Sequence, residues 1–252
     1  MKHLKETASA AIAGVILACS TLHASSIDSV VFRKALNEQD VETLCTLVHV
    51  VDDVGMQVSN GRTALMVAAK KGRSLCVRDL IEAKVDPNMP NDNGGTALMF
   101  AAISGDEETT RLLLDAGASV NVVAKLGWTA IMVAAAKGHA GVIHQLLVYG
   151  ADPNARDAYR WTPLIRASYA GHFNAVNELL QDPQVDIDAR DANDATALHH
   201  AATNGHYDIT EALLQHGAQV SLTDTFGYTP VQRASIQNHE SIYRLLASLQ
   251  SN

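Results

Sequence analysis

The chain has 252 residues, 47% of them hydrophobic and 18% charged, so it can bury a sizeable core without a disulfide or metal staple. Its net charge of −8 and 5% aromatic content give no general field or base-stacking surface for a polyanion, which excludes nucleic acid as an expected partner. Three cysteines do not make a stapled secreted mini-domain.

Residues 1–24 have the three parts of a signal peptide: basic Lys2 and Lys5, the apolar run from Ala8 to Ala18, and the small-residue ending at Ala24. That run is about half the roughly 20 residues of a membrane span, so no permanent anchor is expected. The expected location is the periplasm or the medium, with cleavage after Ala24. A competing expectation is lipidation of Cys19, since Ile16-Leu17-Ala18-Cys19 resembles a bacterial lipobox, but Leu17 stands where a small residue is usual.

Thr63, Thr96, Thr129, Thr162, Thr196 and Thr229 follow one another at intervals of 33, 33, 33, 34 and 33 residues. Each opens a phrase such as TALMVAAKKG, TAIMVAAAKG or TPLIRASYAG. The threonine hydroxyl is suited to cap a helix, and Pro163 and Pro230 stand at the first helical position, where a missing N–H costs nothing. Gly72, Gly105, Gly138, Gly171 and Gly205, with Asn238 in the last copy, supply the left-handed residue that ends this first helix. Paired alanines such as Ala68-Ala69 and Ala101-Ala102 let neighbouring first helices stack closely.

A second helix is expected through Leu80-Ile81, Leu113-Leu114, Leu146-Leu147, Leu179-Leu180, Leu213-Leu214 and Leu245. Its apolar stripe can be covered only by the next copy. Gly117, Gly150 and Gly217 end it, and a turn such as Asp152-Pro153-Asn154 follows. Lys84 stands at the same position, where a positive φ costs a lysine about 1 kcal/mol relative to glycine.

These phrases resemble the ankyrin repeat, over residues 61–252 almost without a gap. The resemblance implies an all-α repeat solenoid: a right-handed stack of about seven helix pairs with projecting β-hairpin-like loops and a concave face. The divisions it suggests are a capping repeat at 25–60, repeats at 61–93, 94–126, 127–159, 160–193 and 194–226, and a C-terminal cap at 227–252. It further implies a non-enzymatic monomer that holds a protein partner, without cofactor or metal, on the loop tips and the outer side of the first helices. An inhibitor or immunity-type partner of an envelope enzyme, and a secreted effector acting on host proteins, are the alternatives. In the family pattern His139, His172, His206 and His239 follow the first helix and bond backbone groups, and His199 falls on a position where histidine is common.

Phosphate-cradling, nucleophile-elbow and zinc-protease motifs are missing from the sequence. Candidate partner-binding residues are therefore sought on the loop-tip side, where Phe100, Trp128, Tyr159, Arg160, Trp161, Arg166, Tyr169, Tyr228 and Arg233 fall together. Aromatic residues and arginines are what protein interfaces enrich. A ladder of aromatics packing on adjacent loops would explain the rings but not the arginines. Trp128 and Trp161 are expected to be neighbours on successive tips, and truncating Trp161 or Arg166 is expected to cost the fold little. In the same frame Cys76 falls in an inward column with Thr109 and Val142, and Cys45 in an outward one with Arg78 and Arg111. No bridge between them is expected.

Overall fold

The computed structural model describes residues 24–250; the leader and Cys19 thus lie outside the described residues. Fourteen α-helices and two single 3₁₀ turns, with no strand, make up the regular structure of the described residues. In chain order they are α1 (Ala24–Glu38), α2 (Val41–Leu47), α3 (Ala64–Lys70), α4 (Ser74–Glu82), α5 (Ala97–Ser104), α6 (Glu107–Asp115) and α7 (Ala130–Lys137). Then follow α8 (Ala140–Val148), α9 (Pro163–Ala170), α10 (Phe173–Leu180), α11 (Ala197–Asn204), α12 (Tyr207–Gln215), α13 (Pro230–Ile236) and α14 (Glu240–Gln250). Each odd-numbered helix packs on the even-numbered one after it, and from α3 onward also on the next odd-numbered helix. This is an all-helical repeat solenoid.

The repeated phrase works largely as its residues predict. Thr63, Thr162 and Thr229 accept from the N–H of Met66, Ile165 and Gln232, and the glycines after the first helices lie at φ between 61° and 79°, with Asn238 at 59°. Ala68, Ala101, Ala134, Ala167, Ala201 and Ala234 form a fully buried column, because only a methyl group fits where successive first helices meet. Leu80, Leu113, Leu146, Leu179 and Leu213 form the matching column of the second helices. In the last copy that column continues at the fully buried Leu246 rather than at the half-buried Leu245.

Two kinds of tie recur between successive repeats, a histidine at the four C-terminal junctions and an asparagine at three central ones. His139, His172, His206 and His239 place Nε2 3.1–3.3 Å from the carbonyls of Ile103, Ala136, Tyr169 and Thr203 in the preceding repeat. Their rings lie against Gly105, Gly138, Gly171 and Gly205, where an added Cβ would meet imidazole atoms at 2.5–2.8 Å. Those glycines are thus required twice over, for the left-handed turn and for the histidine of the next repeat. In the turns after the second helices, Asn88 donates to Gly117 O and accepts from Ser119 N. Asn121 does the same with Gly150 and Asp152, and Asn154 with Gln184 and Asp186.

The expected separation of Cys45 and Cys76 is wrong: they form a disulfide, with Cα atoms 5.2 Å apart, between α2 and α4. A helix inside a stack has a neighbour on each side. A residue looking forward to the next repeat therefore meets one looking back, and the two belong to different columns of the frame. The column of Cys45 does look forward, since Arg78 reaches Glu108 and His144 reaches Glu178. Inward and outward were insufficient categories.

Candidate loop-tip interface

Before each first helix the chain makes a tight reversal whose two ends are bonded: Ala124 N to Trp128 O, Asp157 N to Trp161 O, Asp191 N to Ala195 O, Asp224 N to Tyr228 O. The tips are also bonded to one another, through Asp92 N to Asn60 O, Lys125 N to Asn93 O, Ala158 N to Leu126 O, Ala192 N to Tyr159 O and Thr225 N to Asn193 O. Each reversal needs a left-handed residue. Gly61, Gly94, Gly127 and Gly227 supply it in four tips, whereas Arg160 (φ 60°) and Asp194 (φ 55°) adopt it in the other two.

Three tips contain a feature that the sequence reading missed. Asp157, Asp191 and Asp224 are buried. The Oδ1 of each accepts from the backbone N–H two and four residues on, at 2.7–3.0 Å. The Oδ2 of each faces the side chain nine residues on: Asp157 pairs with Arg166, His200 Nε2 lies 2.9 Å from Asp191, and Arg233 Nε donates to Asp224 at 2.6 Å. The remaining tips substitute both members together, as Val58 with Val67, Asn91 with Phe100, and Ala124 with Val133. That joint change across internal repeats was the available signal. Loss of water raises the Asp191 and Asp224 pKa values, but hydrogen bonds from His200 or Arg233 and from the backbone outweigh it, and both carboxyls are held below the usual range.

The arginines are therefore explained from within. The Arg166 guanidinium is 4.2 Å from the Trp128 ring centroid and 4.6 Å from that of Trp161, sandwiched between successive tips. Trp161 continues the stack against Tyr169 at 5.1 Å and His200 at 4.8 Å. At the C-terminal end Arg233 lies over Tyr228 at 4.9 Å and Phe226 at 5.4 Å. The side chain of Arg166 is only 18% exposed, and truncating it would orphan Asp157, so the expected small cost of its removal is wrong. Solvent meets mainly Tyr159, Tyr169 and Phe226, at 58%, 51% and 71% exposure. Tyr159 shares a hollow with Trp161, Arg166, Ala192 and Asn193, whereas Phe100 lies in a separate one with Arg62, Lys70 and Asn91. Arg160 is exposed on its tip.

Histidine chemistry here is architectural. His199 is buried, with Nδ1 accepting from Thr196 N at 3.2 Å and Nε2 3.1 Å from Tyr228 O, and burial pushes its pKa down. No group of three or more potential metal ligands occurs among the described residues, and none of their helices is long and apolar enough to cross a membrane.

A family model of ankyrin repeats, in three copies, matches residues 32–124, 116–191 and 183–252. The chain belongs to the ankyrin-repeat family, whose members are generally protein–protein interaction modules. No curated protein matches the chain.

Proposed function

We propose that this chain is a non-enzymatic monomeric module that holds a protein partner on the face made by its loop tips and first helices. The observation that supports this best is the stack Trp128–Arg166–Trp161–Tyr169, a rigid aromatic surface assembled from successive tips and anchored beneath by a buried carboxylate. Rigid amphipathic rings bind with little loss of conformational freedom. The same face includes Tyr159, Arg160, Tyr228, Arg233 and, at the N-terminal end, Phe100. The test is recovery of a partner with tagged protein from its native source. Tyr159→Ala with Tyr169→Ala should weaken retention about tenfold or more, since both rings are exposed and their loss leaves the melting temperature within a few degrees. Unchanged retention would remove this face from the proposal.

The proposed setting is the periplasm or envelope of a Gram-negative bacterium. Support comes from the leader pattern of residues 1–24 and from the Cys45–Cys76 bridge, a bond that persists in oxidising compartments. Mass spectrometry of the envelope fraction should find a chain starting at Ser25; a lipid-modified Cys19 at its N-terminus would replace a soluble protein by an anchored one.

A further inference from the structure

We infer that the partner presents an extended acidic segment to the loop-tip face, its carboxylates meeting a row of cations and an aromatic or apolar side chain meeting Trp161 and Tyr159. This rests on the face proposed above and adds the chemistry of its ligand. The basis is the segregation of charge. The chain as a whole has a net charge of −8. Yet the loop tips and the first helices from α3 onward present Arg62, Lys70, Lys125 and Arg160 against two acids outside the buried aspartates, Asp92 and Asp194. None of the four cations is in an ion pair with a carboxylate of the described residues. Lys125 Nζ is held by Asn93 Oδ1 at 3.0 Å, and Arg62 reaches the Asn37 carbonyl. The other tip and helix cations, Arg166 and Arg233, are neutralised by the buried aspartates and add rigidity rather than field. The acids are concentrated on the second helices and the turns after them, such as Glu107, Glu108 and Asp115 on α6 and Asp208 and Glu211 on α12.

Arg160 is the most telling member of the row. It occupies a left-handed position that four of the other five tips give to glycine, so an exposed arginine is kept there at a cost in backbone energy. A strained, exposed charge that makes no ion pair within the described protein is suited to meet one on a partner. From the tip of Arg62 to that of Arg160 are three repeat steps of about 10 Å, or roughly nine residues of an extended peptide. A peptide fits that row if its carboxylates fall opposite Arg62, Lys125 and Arg160 and a neutral residue falls opposite Asp92, whereas a nucleic acid has a phosphate at every nucleotide and no neutral position to set against that acid.

The test uses the mature chain and a fluorescent random copolymer of glutamate and tyrosine, with polylysine and oligothymidylate as comparisons, read by anisotropy. Saturable binding of the glutamate–tyrosine polymer that weakens with added salt is expected, with far less of oligothymidylate, while polylysine is drawn to the acidic second helices and does not share the glutamate–tyrosine polymer's loss in the variants below. Lys125→Glu with Arg160→Glu should reduce that affinity at least tenfold, and Glu211→Lys on the far side should leave it unchanged. Arg160→Gly, which removes charge and strain together, should weaken binding severalfold while raising the melting temperature, so that lost binding cannot be attributed to misfolding. The inference falls if the acidic polymer does not bind, if the reversed variant binds it equally, or if oligothymidylate binds as well. A native partner that needs Tyr159 and Tyr169 but is indifferent to the charge reversal would leave the interface in place and overturn only its acidic ligand.

Discussion

The buried carboxylates at the loop tips show how one residue type settles the geometry of a surface. Asp157 holds the Tyr159 and Trp161 amides with one oxygen and Arg166 with the other, so the turn, the guanidinium and both indoles depend on a single side chain. Arg166→Ala should therefore destabilise the protein by about 3 kcal/mol, because it leaves a buried charge without its partner. Adding Asp157→Asn should restore most of that, since Asn91 makes the same two amide contacts in its own tip without a charge. Denaturant titration of the single and double variants measures both, and a double variant no more stable than the single one would mean that the lost ring packing dominates.

His199 belongs to the same scale. It is flanked by Asp224, His200 and Arg233, and its buried ring is kept neutral, so its folded pKa lies below the ordinary value. Its contribution is complete above the unfolded pKa of about 6.5 and is lost as pH falls through the folded value. Asp191 and Asp224, depressed carboxyls, lose theirs only as pH falls below about 4. His199→Gln should keep the cap, as Gln232 does for Thr229, and flatten the fall in melting temperature between pH 7 and pH 5. An equal fall in both proteins would assign it to another group. Lys84, at φ 65° where Gly117, Gly150 and Gly217 have open space around them, should give about 0.5–1 kcal/mol of added stability on replacement by glycine, seen as a raised denaturant midpoint.

At the scale of the helix pair, stability resides between repeats rather than within them. A first helix of seven or eight residues is too short to persist alone, and the columns of Ala68 and Leu80 are covered only when the neighbouring repeats are in place. The histidines before α8, α10, α12 and α14 bond a carbonyl of the previous pair, and Asn88, Asn121 and Asn154 each bond two backbone groups of the following turn. The helices, their ends and the glycine positions were legible in the sequence because capping and left-handed turns are local chemistry, repeated at a fixed period. The histidine–glycine contact was half legible. Left-handed φ explains each glycine, but the ring packed against it comes from the next repeat.

For the molecule as a whole, the Cys45–Cys76 bridge closes a loop of 31 residues at the N-terminal end of the stack, where α1 exposes Ile27 and Val30. Closing such a loop reduces the freedom of the unfolded chain, for a stabilisation of about 3–4 kcal/mol. Reduction, or Cys76→Ser, should lower the unfolding midpoint accordingly, with hydrogen exchange rising first in α1–α4. Exchange that rises equally along the whole chain would mean that the repeats unfold as one unit.

The sequence alone determined the period, the helices of each repeat, the left-handed residues that end them and the side on which the aromatic residues gather, because each depends on contacts within about four residues or on a pattern repeated unchanged. The threonine caps were half legible, since Thr63, Thr162 and Thr229 make the bond and Thr96 and Thr129 do not. Tertiary structure decided what those side chains do to one another. It joined Cys45 to Cys76, which different columns of the frame had separated, because a stacked helix has two flanks and a column marks only one. It also turned Arg166 and Arg233 from unexplained surface charges into partners of buried aspartates. A carboxylate and a guanidinium nine residues apart meet only when the loop folds back over its own helix, and that return is made by packing against the neighbouring repeats.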